Sequence, residues 1–210
     1  SATTPESPVK LRVLGCSGGV GWGCDTTALL LDDDILIDCG TGVGRLSLAE
    51  MKPIRHLFLT HSHLDHCALL PMLLDNKFGH LSESFKVYGL PATLDALQQH
   101  LFNDLIWPDF TRLPNPENPV VELHPVSPGQ LVELDGRKLE VIEVNHTVDA
   151  AAYRLESGGH SLVFSGDTAT NDGLWAALNR ADNVDVLILE AAFANRDRVT
   201  ARLAHHYCSE

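Results

Sequence analysis

Residues 56–74, HLFLTHSHLDHCALLPMLL, place His61, His63, Asp65 and His66 within six positions, directly after a short apolar run. That run predicts a buried strand, and the apolar spacing from Leu69 onward predicts a helix with Pro71 tolerated in its first turn. Four side chains able to ligate a metal thus gather where a strand leaves the core and a helix begins. Imidazole with carboxylate is a donor set suited to zinc, iron or manganese. Asp65 also suits a helix start electrostatically. A solitary histidine needs no such explanation, and His56, His80, His100, His124 and His160 are read as ordinary core or surface residues.

The rest of the chain is strand-rich. KLRVLGCSG predicts a strand running into a glycine-rich turn, and TTALLLDDDILIDCG predicts two strands joined at Asp32–Asp34. A short helix is expected over 43–51, a strand at FKVYG and a helix over PATLDALQQHLFNDL. IWPDFTRLPNPENPV is too rich in proline for regular structure and reads as an ordered loop. Strands follow at VVELHPV, QLVELDG, KLEVIEVN, AAYRLESG and HSLVFSGD, then the helix DGLWAALNRA, the strand VDVLILEA and a charged tail. Strand runs with interspersed helices predict layered sheets with helices outside. Residues 1–10 are expected to form a flexible arm, and 11–210 a single domain.

Several classes of function are disfavoured. The glycines of GCSGGVGWG, 15–23, invite a dinucleotide-binding reading, but that fingerprint opens a helix, whereas the β-like TTALLL follows here. A formal charge of −13 with only 15 Lys and Arg argues against long nucleic acid, whose phosphates a protein must neutralise. The five cysteines are odd in number and contain no CxxC pair, which excludes a full disulfide framework and fits a reducing cytoplasm. No apolar run approaches the ~20 residues of a bilayer span, so no membrane role is expected.

THSHLDH resembles the HxHxDH signature of the metallo-β-lactamase superfamily. LIDCG, EVNH, VFSGD and AHHYC resemble that family's further motifs, in the same order along the chain. The resemblance implies an α/β fold, the four-layer αββα sandwich of two mixed sheets with helices on the outer faces. It implies two divalent metal ions, zinc first with manganese or iron as alternatives. His61, His63 and His146 would hold one ion, Asp65, His66 and a terminal histidine the other, and Asp167 would bridge them. Of His205 and His206 the second is preferred, because HYCS resembles the family's arrangement before a final helix that hardly begins here. Asp38 would stand behind the ligands and fix an imidazole.

The resemblance further implies a hydrolase in which Asp65 and Asp167 take part in catalysis and the ions share a hydroxide. His66 favours the binuclear branch of phosphodiesterases, thioesterases and lactonases. NDLIWPDFTRLP, 103–114, resembles a segment of class II cyclic-nucleotide phosphodiesterases and their bacterial relatives. It suggests Trp107 and Phe110 as an apolar wall for a base and Arg112 as a phosphate contact. Cys67 and Ala68 depart from the aliphatic residue and glycine usual after HLDH. The expected substrate is a small phosphodiester such as a cyclic nucleotide, and a homodimer is an allowed assembly. The alternatives are a tRNA 3′-processing endonuclease, a thioesterase or lactonase, and an inactive metal-binding scaffold.

Overall fold

A computed structural model describes residues 9–80 and 82–208, so most of the expected N-terminal arm, 1–10, lies outside the described residues. The chain divides into two compact units, Lys10–Pro125 and the residues from Val126 onward.

The first unit contains β1 (Leu11–Gly15), β2 (Ala28–Leu31), β3 (Ile35–Ile37), α1 (Leu48–Met51), β4 (His56–Phe58), α2 (Leu64–Cys67), α3 (Leu70–Lys77), β5 (Phe85–Gly89), α4 (Pro91–His100), the short pair β6 (Pro114–Asn115) and β7 (Asn118–Pro119), and β8 (Val121–Pro125). Its six-stranded sheet runs β1-β2-β3-β4-β5-β8. β1, β2 and β3 pair antiparallel, and β3, β4, β5 and β8 pair parallel. Every residue of β2, β3 and β4 is buried, as expected of strands covered on both faces and written as unbroken apolar runs. The core gathers Leu30, Leu36, Leu57, Leu59, Leu70, Leu74, Val87 and Phe102.

The helix expected over 43–51 is two pieces. A 3-10 turn covers Thr41–Arg45, and α1 restarts at Ser47 with a capping box. There the Ser47 hydroxyl accepts from the Glu50 amide while the Glu50 carboxylate accepts from the Ser47 amide. α3 begins as predicted, with Pro71 in its first turn. α4 stops at His100, short of the predicted end, because Asn103 and Asp104 turn the chain. Asn103 Oδ1 accepts from the amides of Leu105 and Ile106, and Asp104 Oδ1 from that of Asp109. The proline-rich segment is ordered, as read, but it is not free of regular structure, because β6 and β7 pair antiparallel within it.

The second unit contains β9 (Leu131–Leu134), β10 (Arg137–Val144), β11 (Ala150–Ser157), β12 (His160–Phe164), α5 (Asp172–Arg180), β13 (Val186–Ile188) and α6 (Arg198–Leu203). Its sheet runs β13-β12-β11-β10-β9, antiparallel except for the β12/β13 pair. α5 is capped by Asn171, whose side chain accepts from the Leu174 amide. It buries Leu174 and Ala177 with Ile142, Val144, Ala152 and Val163. The stretch read as a charged tail contains α6, whose Ala201 is buried. No helix among the described residues is long and apolar enough to cross a membrane.

Candidate functional site

In the first unit, β3 and β4 run parallel and deliver Asp38 and Thr60 side by side at their carboxyl ends. Asp38 is fully buried and sits in the left-handed region at φ 59, a conformation that aspartate tolerates better than most residues at some energetic cost. Its carboxylate accepts from the Thr60 amide (2.8 Å) and the Thr60 hydroxyl (2.8 Å), and contacts His66 Nδ1 at 2.7 Å. Burial pushes the Asp38 carboxyl up, against the opposing pull of His66 and the Thr60 donors. With Nδ1 engaged, the nitrogen His66 can offer to a cation is Nε2, which lies 3.4 Å from Asp65 Oδ2.

The three imidazoles form one cluster. The His61 ring centroid is 4.6 Å from that of His63 and 4.2 Å from that of His66, and Thr60 Oγ1 lies 3.0 Å from His61 Nδ1. The glycine of LIDCG has a packing reason. A Cβ on Gly40 would fall 2.2 Å from the Asp65 carbonyl oxygen and 2.3 Å from Thr26 Oγ1. The Cys39 amide donates to the His66 carbonyl at 2.7 Å, so the turn after β3 clamps the ligand-bearing segment. Burial raises the Cys67 thiol to about 12, and its Sγ donates to the Ser62 carbonyl. In this neutral form it is a packing residue.

In the second unit, β10 leads to His146, β12 to Asp167, and the turn after α6 to His206. One donor atom from each lies within 4.8 Å of the other two. His206, rather than His205, joins this group. His205 contributes its carbonyl, 3.1 Å from His146 Nδ1. The His146 and His206 rings meet edge to face at 4.9 Å, and His206 Nε2 lies 3.9 Å from Asp167 Oδ2.

Sequence reasoning missed Glu190, which follows β13. Its Oε1 lies 2.8 Å from His206 Nδ1 and accepts from the amides of Thr168 and Tyr207, while Oε2 accepts from the Ala192 amide. Glu190 therefore does for His206 what Asp38 does for His66. Its signal was an acidic residue closing an apolar run, ILEAA, which by itself has many explanations.

The residues proposed for substrate contact fare differently. Phe110 is 4% exposed, with its ring 5.6 Å from that of Phe78 and 6.3 Å from that of Phe102. Its ring packs against those two aromatics within its own unit. Trp107 is half-buried against the same core. Arg112 is exposed, with Nη1 3.8 Å from Asp109 Oδ2.

These donors fit divalent cations. Each unit supplies imidazoles and a carboxylate, and in each a further carboxylate, Asp38 or Glu190, engages one imidazole by its far nitrogen. That is the arrangement which orients metal-holding histidines and raises their basicity.

Residues 33–208 match the family described as Beta-lactamase superfamily domain. The chain belongs to that family, a group of metal-dependent hydrolases, and has the metallo-β-lactamase fold. It is 29% identical to Ribonuclease Z of Bradyrhizobium sp. (strain ORS 278) over an alignment of 222 residues, covering 80% of this chain and 70% of the relative. It is 44% identical to 3',5'-cyclic-nucleotide phosphodiesterase 1 of Saccharomyces cerevisiae over 59 residues, covering 28% of this chain and 16% of the relative. Among solved structures, the metallo-beta-lactamase fold protein YhfI from Bacillus subtilis superposes with a TM-score of 0.76 at 23% identity, covering 97% of this chain and 79% of that one.

Proposed function

We propose that the chain is a binuclear phosphodiesterase acting on a small phosphodiester, with a cyclic nucleotide as the first candidate. His61, His63, Asp65, His66, His146, Asp167 and His206 are its ligands to two divalent ions, zinc first. The observation that carries this reading is the pair of imidazole-fixing carboxylates, Asp38 behind His66 and Glu190 behind His206. A histidine used only for packing does not need its tautomer set this way, whereas a ligand does. When bound, such ions lower the pKa of water and polarise phosphoryl oxygens, which suits hydrolysis.

The protein's own residues do the rest. Asp38 holds a carboxylate against His66 Nδ1 and so commits that ring to the outward nitrogen. Glu190 does the same for His206 and ties the ring to the backbone of Thr168, Ala192 and Tyr207. Asp65 and Asp167 bring negative charge to the imidazole clusters, and Gly40 lets the Asp65 backbone approach.

Phosphodiester cleavage is the chemistry named by both curated relatives, one a nuclease and the other a cyclic-nucleotide enzyme. The preference for a small substrate rests on the charge of −13, with 15 basic against 28 acidic residues. The second reading, an endonuclease acting on the 3′ end of precursor tRNA, is favoured by the length of the match to Ribonuclease Z.

The test is metal analysis together with hydrolysis of bis(p-nitrophenyl) phosphate, cyclic AMP, a thioester, a lactone and a precursor tRNA. Diester cleavage with about two metals per chain, lost in Asp167→Ala, is the expected result. Preferential thioester or lactone turnover rejects the phosphodiesterase. Metal without turnover of any substrate makes the chain a scaffold.

A further inference from the structure

A second cluster of charge lies beyond the opposite end of β4 from the histidines. A cavity of about 460 Å³ is lined by Met51, Lys52, Arg55, Lys77, His80 and Glu83, among others. In a chain with 28 acidic and 15 basic residues, this lining inverts the ratio, with three cations to one carboxylate.

Lys77 is the anchor. It is 5% exposed, and its Nζ donates to the carbonyls of Met51 (2.9 Å) and Lys52 (2.8 Å). An ammonium carries three N–H donors; two make those bonds, and Nζ also stands over the Phe85 ring, 6.0 Å from its centroid. Arg55 is half-exposed, and its nearest carboxylate contact is Nη1 to Glu83 Oε1 at 3.8 Å, beyond hydrogen-bond reach. Glu83 is shared with Lys86, again at 3.8 Å. One carboxylate thus stands at long range from two cations, while Lys52 and Lys77 line the same space. Burial, then the Arg55 charge, lower the Lys77 amine to about 8, as expected where positive charge exceeds its counter-charge.

A purely structural role for Lys77, closing the carbonyls at the end of α1, accounts for its two bonds. It does not account for Arg55, which lines the same cavity with its guanidinium 3.8 Å from the Glu83 carboxylate. We propose that the cavity binds a small, doubly charged oxyanion, either inorganic phosphate or a phosphomonoester whose apolar part lies on Leu48 and Met51. The planar Arg55 fork grips two oxygens, Lys52 closes from the rim, and Lys77 backs the site from within. This site is separate from the metal-binding residues and does not depend on the reaction proposed for them.

The test is isothermal titration of the full chain, carrying its metals, with sodium phosphate, with phenyl phosphate, and with sodium chloride at matched ionic strength. Saturable phosphate binding is expected, weakened about tenfold in Arg55→Ala and likewise in Lys52→Ala, with diester hydrolysis unchanged in both variants. Tighter binding of phenyl phosphate assigns the ligand as a phosphomonoester, and equal or weaker binding as free phosphate. Three results overturn the proposal: no saturable binding up to about ten millimolar, chloride giving the same response, or phosphate binding that His146→Ala removes while Arg55→Ala leaves intact.

Discussion

Gly40 has no room for a side chain, because a methyl group there collides with the backbone carbonyls of Asp65 and Thr27 as well as with Thr26 Oγ1. Gly40→Ala is therefore expected to cost about 1–3 kcal/mol in chemical denaturation and to lower bound metal, since relief of the clash moves the Asp65 segment. Unchanged metal content would mean that the turn after β3 does not position it. Asp38→Asn and Glu190→Gln preserve shape but remove the charge behind His66 and His206, and each should weaken metal binding about 10–100-fold in a competition titration against a chelating dye. His206→Ala separates two roles for that ring. Loss of a bound ion marks a ligand, whereas full metal content with a lost pH limb of activity marks a proton carrier. Phe110→Ala should destabilise by about 3–5 kcal/mol and leave the KM of the folded fraction unchanged. Adjacency made the clustering of His61, His63 and His66 legible in the sequence, because donors in one short stretch cannot lie far apart. Glu190 was illegible because its partner is sixteen positions away, and Phe110 because an aromatic in a proline-rich loop reads alike whether it faces a ligand or a core.

At the scale of elements, α3 is fastened to the end of α1 by Lys77, and this gives a pH signature. The folded-state amine titrates at about 8, below the ordinary 10.5, so between those values the unfolded chain binds more protons than the folded one. Stability must then rise as pH climbs from about 8 towards 10.5, while below 8 the full cost of the buried charge is present. The contribution is on the order of 1–3 kcal/mol. It should appear in phosphate-free buffer as a rise in the denaturation midpoint across that window, absent in Lys77→Met. A parent protein whose midpoint is flat there would show that the two carbonyl acceptors offset the burial of the ammonium. The elements themselves were largely legible. β2, β3 and β4 are written as unbroken apolar runs because both faces are covered. The helix over 43–51 was misjudged as continuous because its periodicity carries across Leu46, where Ser47 restarts the chain with its own cap. VDVLILEA is an apolar run read as a strand, yet Val186, Leu187 and Leu189 are 43%, 39% and 40% exposed. β13 is an edge strand of its sheet, and no local pattern states which strand has a neighbour on only one side.

For the whole molecule, the order of the motifs was legible through the family resemblance, whereas the division near Pro125 was not. The turn HPVSPGQ differs little in composition from the other proline and glycine turns of the chain. Net charge is the whole-molecule property that bears most directly on substrate. A long RNA must be gripped through its phosphates, and a protein making six to ten such contacts loses ~10³–10⁵ in affinity between 50 and 200 mM salt. A small cyclic nucleotide presents one phosphate and no extended array of counterions to release. With 28 acidic and 15 basic residues, three of the basic ones lining the Lys77 cavity, little positive charge is left for an extended groove. The expected result is that kcat/KM for cyclic AMP changes by less than about threefold over that salt range, consistent with a single neutralised phosphate at most. Cleavage of precursor tRNA should be slow at every salt concentration. A steep salt dependence, with precursor tRNA cleaved faster than cyclic AMP at 50 mM, would instead place the chain with the nucleases it resembles along most of its length. The acidic balance would then be a property of the surface away from the RNA.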